Sequence, residues 1–240
     1  NRRILTVKLA DTAVLAQNRL LILEVLYNDG ATEHYLLPVA FASGSAADNL
    51  LKEHRGAVIA RLTAGGDEGV IYDAIYDPGF RRAIPELIWK QRNRRGQGSK
   101  KLSAMAGKKL LKLVPDPEIF KKSELLRSEQ SNTSFIYDRK LIFKLYRRLD
   151  PGPNPELELN QYLSESGFQQ VAPYAGAVTC SSTAEEPYVV GILQGWIDHE
   201  ADGWDYLKDN LNAYLEKAVT QPEEIHRASV LPGLSINLSA

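Results

Sequence analysis

The chain has 240 residues and a formal net charge of −1, from 29 basic and 30 acidic side chains, a balance that argues against a dedicated nucleic-acid binder. Hydrophobic residues make up 44% and charged residues 25%, ordinary globular composition, and a chain this long buries roughly 70–75% of its unfolded surface without disulfide or metal staples. The single cysteine, Cys180, excludes an intrachain disulfide and sets a cytoplasmic location as the expectation.

The N-terminus, Asn-Arg-Arg-Ile-Leu-Thr-Val-Lys, lacks the apolar core of a signal peptide. With Met105 as the only methionine, the chain reads as a piece of a longer polypeptide. Arg3 to Leu9 alternates polar and apolar residues, the period of a half-buried strand. Leu20 to Tyr27 is a second strand closed by Asn28-Asp29-Gly30, and Glu33 to Phe41 returns from that turn. The longest apolar run, Tyr35 to Ala42, falls far short of the roughly 18 residues a membrane span needs, so no membrane is expected. Ala57 to Leu62 and Gly69 to Ala74 flank Gly65-Gly66-Asp67 as a further hairpin. Phe80, Ile84, Leu87 and Ile88 then fall at helical spacing within Phe80 to Gln91.

Residues 91–101 carry no apolar side chain and two glycines, the composition of a mobile basic linker. Nucleic-acid binding would need aromatic groups interleaved with this charge, and none occur. A second unit starts near Leu113, so the expected division is 1–112 and 113–240. Ser123 to Gln130 and Thr133 to Tyr137 read as strands meeting at a polar tip, and Leu141 to Tyr146 is a third, with Lys144 in its middle. Asn154-Pro155-Glu156 is a helix start, with Asn as N-cap and Pro at the first position. Strands follow near Ala175 to Thr179 and Tyr188 to Leu193, and Asp202 caps a final helix from Gly203. The fold class is α+β.

Most catalytic signatures are missing from the sequence. His34, His54, His199 and His226 are too scattered for metal-ligand spacing, and G-x-S-x-G, H-E-x-x-H and the P-loop do not occur. What stands out is the order of the second unit: polar tip, strand lysine, acidic helix, two strands, short link, helix. A phosphate-rich ligand needs a positive point charge on a rigid strand, and a carboxylate to hold that charge when the ligand is absent. The competing reading is a solvent-facing lysine beside acidic residues that serve the helix dipole.

The segments Ser128-Glu129-Gln130-Ser131-Asn132-Thr133-Ser134, Lys140 to Leu149, Pro151 to Glu158 and Gln194-Gly195-Trp196-Ile197 resemble the maltokinases, members of the aminoglycoside-phosphotransferase-like kinases. The resemblance implies a strand-rich cap followed by a kinase small lobe. It also implies ATP with Mg²⁺ as nucleotide, maltose as acceptor in the parent enzyme, and a trehalose synthase domain or subunit as possible partner. It assigns Ser131, Asn132, Thr133 and Ser134 to the ATP phosphates and Lys144 to the α/β-phosphates. Glu158, ahead of Glu156, is the expected partner of Lys144, and Gln194 to Trp196 would present backbone groups to adenine. For Trp196, packing at the lobe junction is an equal reading. The family's His-Gly-Asp-like catalytic loop and its metal-binding segment do not occur in this chain. The catalytic base and metal ligands are therefore expected in a further lobe, and the chain alone is expected to lack kinase activity. A non-catalytic interaction module is the alternative.

Overall fold

The computed structural model describes residues 2–64, 66–91, 94–95, 101–126, 132–181, 186–199 and 203–220. The chain divides into two units, residues 1–197 and 198–240, and both sheets belong to the first.

Alternating side chains build the N-terminal sheet. β1 (Ile4–Leu15), β2 (Asn18–Tyr27) and β3 (Thr32–Ser43) form an antiparallel meander, with Val7 opposite Val25 and Leu23 opposite Tyr35. β1 runs six residues past the alternation read from sequence, because Ala13 and Leu15 turn inward and are buried. After α1 (Gly44–Glu53), the hairpin of β4 (Val58–Ala64) and β5 (Asp67–Asp73) joins the far edge of β3.

Next comes α2 (Pro78–Trp89), started by Asp77, whose carboxylate accepts from the Gly79 N–H at 2.8 Å, and by Pro78 at its first position. Its buried face is Phe80, Ile84, Leu87 and Ile88, and each such side chain contributes about 1.5–3 kcal/mol on burial. Phe80 meets Phe135 edge to face at 6.4 Å, and Phe135 stacks on Phe143 at 6.3 Å. This helix thus packs beneath the sheet that carries Lys144.

That second sheet contains β6 (Arg94–Arg95), β7 (Lys101–Ala106), β8 (Ser123–Leu125), β9 (Asn132–Tyr137), β10 (Leu141–Tyr146), β12 (Tyr174–Ser181) and β13 (Tyr188–Gly195). Among the described residues its order is β6-β7-β12-β13-β10-β9-β8, and the paired strands are antiparallel. Between β7 and β8 lies the short helix α3 (Leu110–Leu113), and β11 (Arg148–Leu149) leaves β10 to pair with β3 of the first sheet. α4 (Pro155–Glu165) packs on β12, and α5 (Gly203–Thr220) lies in the second unit. The architecture is α+β: two antiparallel sheets with few helices.

Two expectations change here. β7 precedes residue 112 in the chain yet lies in the second sheet, its edge completed by β12, whose residues Gly176 to Ser181 pair with Lys101 to Ala106. Within the expected linker, Arg94 and Arg95 pair with Leu102 and Lys101 as strand; residues 92–93 and 96–100 lie outside the described ones. Backbone pairing with the next strand, β7, supplies what this polar segment lacks in apolar side chains. Among the described residues, no helix is long and apolar enough to cross a membrane.

Candidate functional site

Paired residues on neighbouring antiparallel strands share a face, so register decides what surrounds Lys144. Lys144 lies opposite Ser134 on β9 and Ile192 on β13; Tyr146 lies opposite Asn132, and Ile142 opposite Gln194. Asn132, Ser134, Lys144, Tyr146 and Gln194 therefore line one face of the sheet. The opposite face carries Phe135 and Phe143 onto α2. The hairpin between β9 and β10 holds this register with Asp138 and Arg139 at positive φ, the Lys140 N–H donating to the Tyr137 carbonyl at 3.0 Å.

Over this face, α4 begins as the sequence predicts. The Asn154 side-chain oxygen accepts from the Leu157 N–H at 3.0 Å, with Pro155 at the first helical position. Lys144 Nζ donates to both carboxylate oxygens of Glu156, each at 3.1 Å. The Tyr146 hydroxyl donates to Glu156 Oε2 at 2.9 Å. Burial, and then the neighbouring Glu156 carboxylate, push the Tyr146 hydroxyl well above its ordinary range, so it stays a donor. A carboxylate held by both a hydroxyl and an ammonium keeps the lysine's charge at a fixed point over the sheet. The pair is only partly buried, with side-chain exposures of 25% for Lys144 and 42% for Glu156, so its own contribution to stability is at most about 1 kcal/mol.

The structure therefore gives Lys144 Glu156 as its partner, not Glu158. The reason is helical rotation: at 3.6 residues per turn, positions two apart point roughly 200° away from each other. Glu156 shares its stripe with the buried residues Asn160 and Ser164, four and eight positions on. Asn160 donates to the Ala172 carbonyl at 2.8 Å, and Ser164 Oγ accepts from the Tyr174 N–H at 2.8 Å. Glu158 lines a separate polar cavity of about 420 Å³ with Lys108, Gln161, Tyr162 and Glu165. The signal available in sequence was that polar stripe at four-residue spacing, which marks the face turned to the sheet.

The Thr133 hydroxyl does not share the Lys144 face. It lies opposite Leu145, so its side chain is on the face away from Lys144. It is buried, and its hydroxyl accepts from Arg147 Nε at 3.0 Å. Strand alternation puts Asn132 and Ser134 on one face and Thr133 on the other. Ser131 and the rest of the tip, residues 127–131, lie outside the described residues. At the expected hinge, the Gly195 N–H donates to the Pro173 carbonyl and the Trp196 N–H to the Lys140 carbonyl, both at 2.8 Å. Those two donors are committed within the protein. Gln194 keeps its place on the Lys144 face, and Trp196 is half-buried.

Beside the Lys144–Glu156–Tyr146 group, Asn132, Tyr146, Arg148, Asp150, Asn154 and Val189 line a polar cavity of about 390 Å³. Chemically, the arrangement offers one oriented ammonium with hydroxyl and amide groups around it, suited to holding an anion. Among the described residues, no group of three or more His, Cys, Asp or Glu side chains is placed to hold a metal ion.

No protein-family model matches the chain. Among solved structures the chain is similar to a glucosamine kinase in complex with glucosamine, ADP and inorganic phosphate. Identity is 16% and the TM-score 0.49, over 85% of this chain and 39% of that one. Two further glucosamine kinase structures, crystal forms A and B, match at 14% and 13% identity with TM-scores of 0.49 and 0.47, over 85% of this chain and 37% of theirs. The chain spans less than two-fifths of the length of the glucosamine kinases it matches.

Proposed function

We propose that this chain is the nucleotide-holding part of an ATP-dependent sugar phosphotransferase, with residues 1–112 as a cap whose β6 and β7 extend the sheet of the kinase-like small lobe, residues 113–240, with its hinge and linking helix. The observation that carries the reading is the ion pair between Lys144 on a central strand and Glu156 on the helix that follows. In this role Glu156 and Tyr146 hold the ammonium in place until a phosphate accepts from it. Ser134 and Asn132 stand beside Lys144 on the same face, as polar neighbours for phosphate oxygens. Bound Mg²⁺ would neutralise charge on the transferring phosphoryl group. Among the described residues, no cluster of His, Cys, Asp or Glu is placed to hold that ion.

The acceptor is maltose, phosphorylated at its anomeric hydroxyl, and the working partner is a trehalose synthase domain or subunit. Both assignments rest on the maltokinase-like segments around Lys144, Pro151 to Glu158 and Gln194 to Ile197. A second reading, a non-catalytic interaction module, is favoured by β1: its exposed residues include Ile4, Leu5, Val7 and Leu9, and it ends its sheet among the described residues. Titration with a fluorescent ATP analogue separates the two. Weak binding that is lost in Lys144→Ala supports the nucleotide reading, and identical curves for wild type and variant refute it.

A further inference from the structure

We infer that Arg147 and Arg148, neighbours in the chain, form a two-sided clasp by which the first sheet fixes the position of β9 and β10. Arg147 is then a positioning residue for the site. The clasp stands on its own geometry; only its effect on nucleotide affinity rests on the function proposed above.

β10 ends at Tyr146, and β11 begins at Arg148 and pairs with β3, so the chain passes directly from one sheet into the other. At this crossing Arg147 makes three tertiary contacts. Its Nη2 bonds to the Asp73 carboxylate, its Nε donates to Thr133 Oγ1 at 3.0 Å, and its carbonyl accepts from the Leu36 N–H at 2.7 Å. Asp73 is held in turn, since its other oxygen accepts from the Ile75 N–H at 3.2 Å. The Arg147 and Asp73 side chains are each only 18% exposed. Arg148 meets a different carboxylate of the first sheet: its Nη1 lies 3.6 Å from Glu33 Oε1, which also takes a 2.7 Å bond from Arg2.

The chemistry selects arginine. A guanidinium presents several donors in one rigid plane and can bond a carboxylate and a hydroxyl together, whereas a lysine ammonium is a single point charge on a flexible stem. The placement selects a positioning role. Thr133 adjoins Ser134, which lies opposite Lys144, and Arg147 adjoins Tyr146, which holds Glu156. One side chain thus restrains both strands of the pair one residue away from the group that holds the anion-binding charge. Asp73, 74 residues earlier in the chain, supplies the fixed end.

The test compares amide hydrogen exchange in the 240-residue chain with that of Asp73→Asn, Arg147→Lys and Thr133→Val. Loss of a charge-assisted hydrogen bond here should speed exchange across Asn132 to Phe135 by about tenfold, while the β12–β13 amides keep their wild-type rates. Arg147→Lys keeps the charge but not the fork and should not rescue. Thr133→Val is nearly isosteric and removes a single bond, so it gives the answer even where Asp73→Asn fails to fold. Unchanged exchange at β9, or an equal increase throughout the sheet, overturns the clasp. Titration of the same variants with the fluorescent ATP analogue should show affinity weakened about threefold to tenfold. Selectively faster β9 exchange with no nucleotide binding by the wild type would uphold the clasp and remove the nucleotide reading instead.

Discussion

Gly191 lies on β13, beside the strand that carries Lys144, and replacing it with alanine tests whether close strand packing sets the site. Gly191 lies opposite Leu145 in the β10–β13 pair. A Cβ built at Gly191 would sit 2.4 Å from the Lys144 carbonyl oxygen and 2.5 Å from the Phe143 ring. An ordinary contact of this kind is about 3.5 Å, so roughly 1 Å must be found by moving backbone or a stacked ring. Neither neighbour moves freely. The carbonyl belongs to a paired central strand, and Phe143 is fully buried against Phe135. Overpacking of this kind typically costs about 1–3 kcal/mol. For a chain of this size that corresponds to a fall of about 2–12 °C in melting temperature. Thermal and urea unfolding of Gly191→Ala measure it directly. Because β10 shifts with the clash, nucleotide affinity should fall as well. A variant within about 0.5 kcal/mol of wild type, the range of ordinary surface substitutions, would refute the argument that the β10–β13 spacing is fixed by glycine.

Two further outcomes are expected. Glu156→Gln should weaken nucleotide binding more than Glu158→Gln, because only Glu156 holds Lys144; titration of the fluorescent ATP analogue ranks the two, and the reverse order would move the site to the outer face of α4. The second concerns acid stability. The Tyr35 hydroxyl, followed by the Arg2 guanidinium, holds the Glu33 carboxyl down at about 2 against an ordinary 4.5. A depressed carboxylate contributes stability that is complete above the unfolded value and is lost as pH falls through the folded one, so the window runs from about pH 4.5 down to about pH 2. Melting temperatures measured across that window should fall less steeply in Glu33→Gln than in wild type, and parallel curves would show that Glu33 does not set the acid limb.

The parts of this protein legible in its sequence are those whose signals are local. The β2–β3 hairpin, the buried face of α2 and the Asn154 cap of α4 each depend on residues within one turn or one alternation of each other, so period and capping chemistry suffice. The lysine on a central strand followed by an acidic helix was legible for the same reason. What tertiary structure decided is which groups meet across the chain. Glu156 rather than Glu158 reaches Lys144 because the rotation of α4 is set by packing Leu157, Asn160 and Ser164 against the sheet. Thr133 turns from the Lys144 face to Arg147 because the β9–β10 register puts it opposite Leu145. The Gly195 and Trp196 N–H groups are committed to Pro173 and Lys140, whose neighbourhood follows from the strand order alone. β7 joins the second sheet through pairing with β12, about 70 residues later, which no local propensity encodes. The contact between Arg147 and Asp73 likewise joins two sheets whose sequence patterns carry no record of each other, because charge pairs are chosen by distance in the folded chain and not by spacing along it.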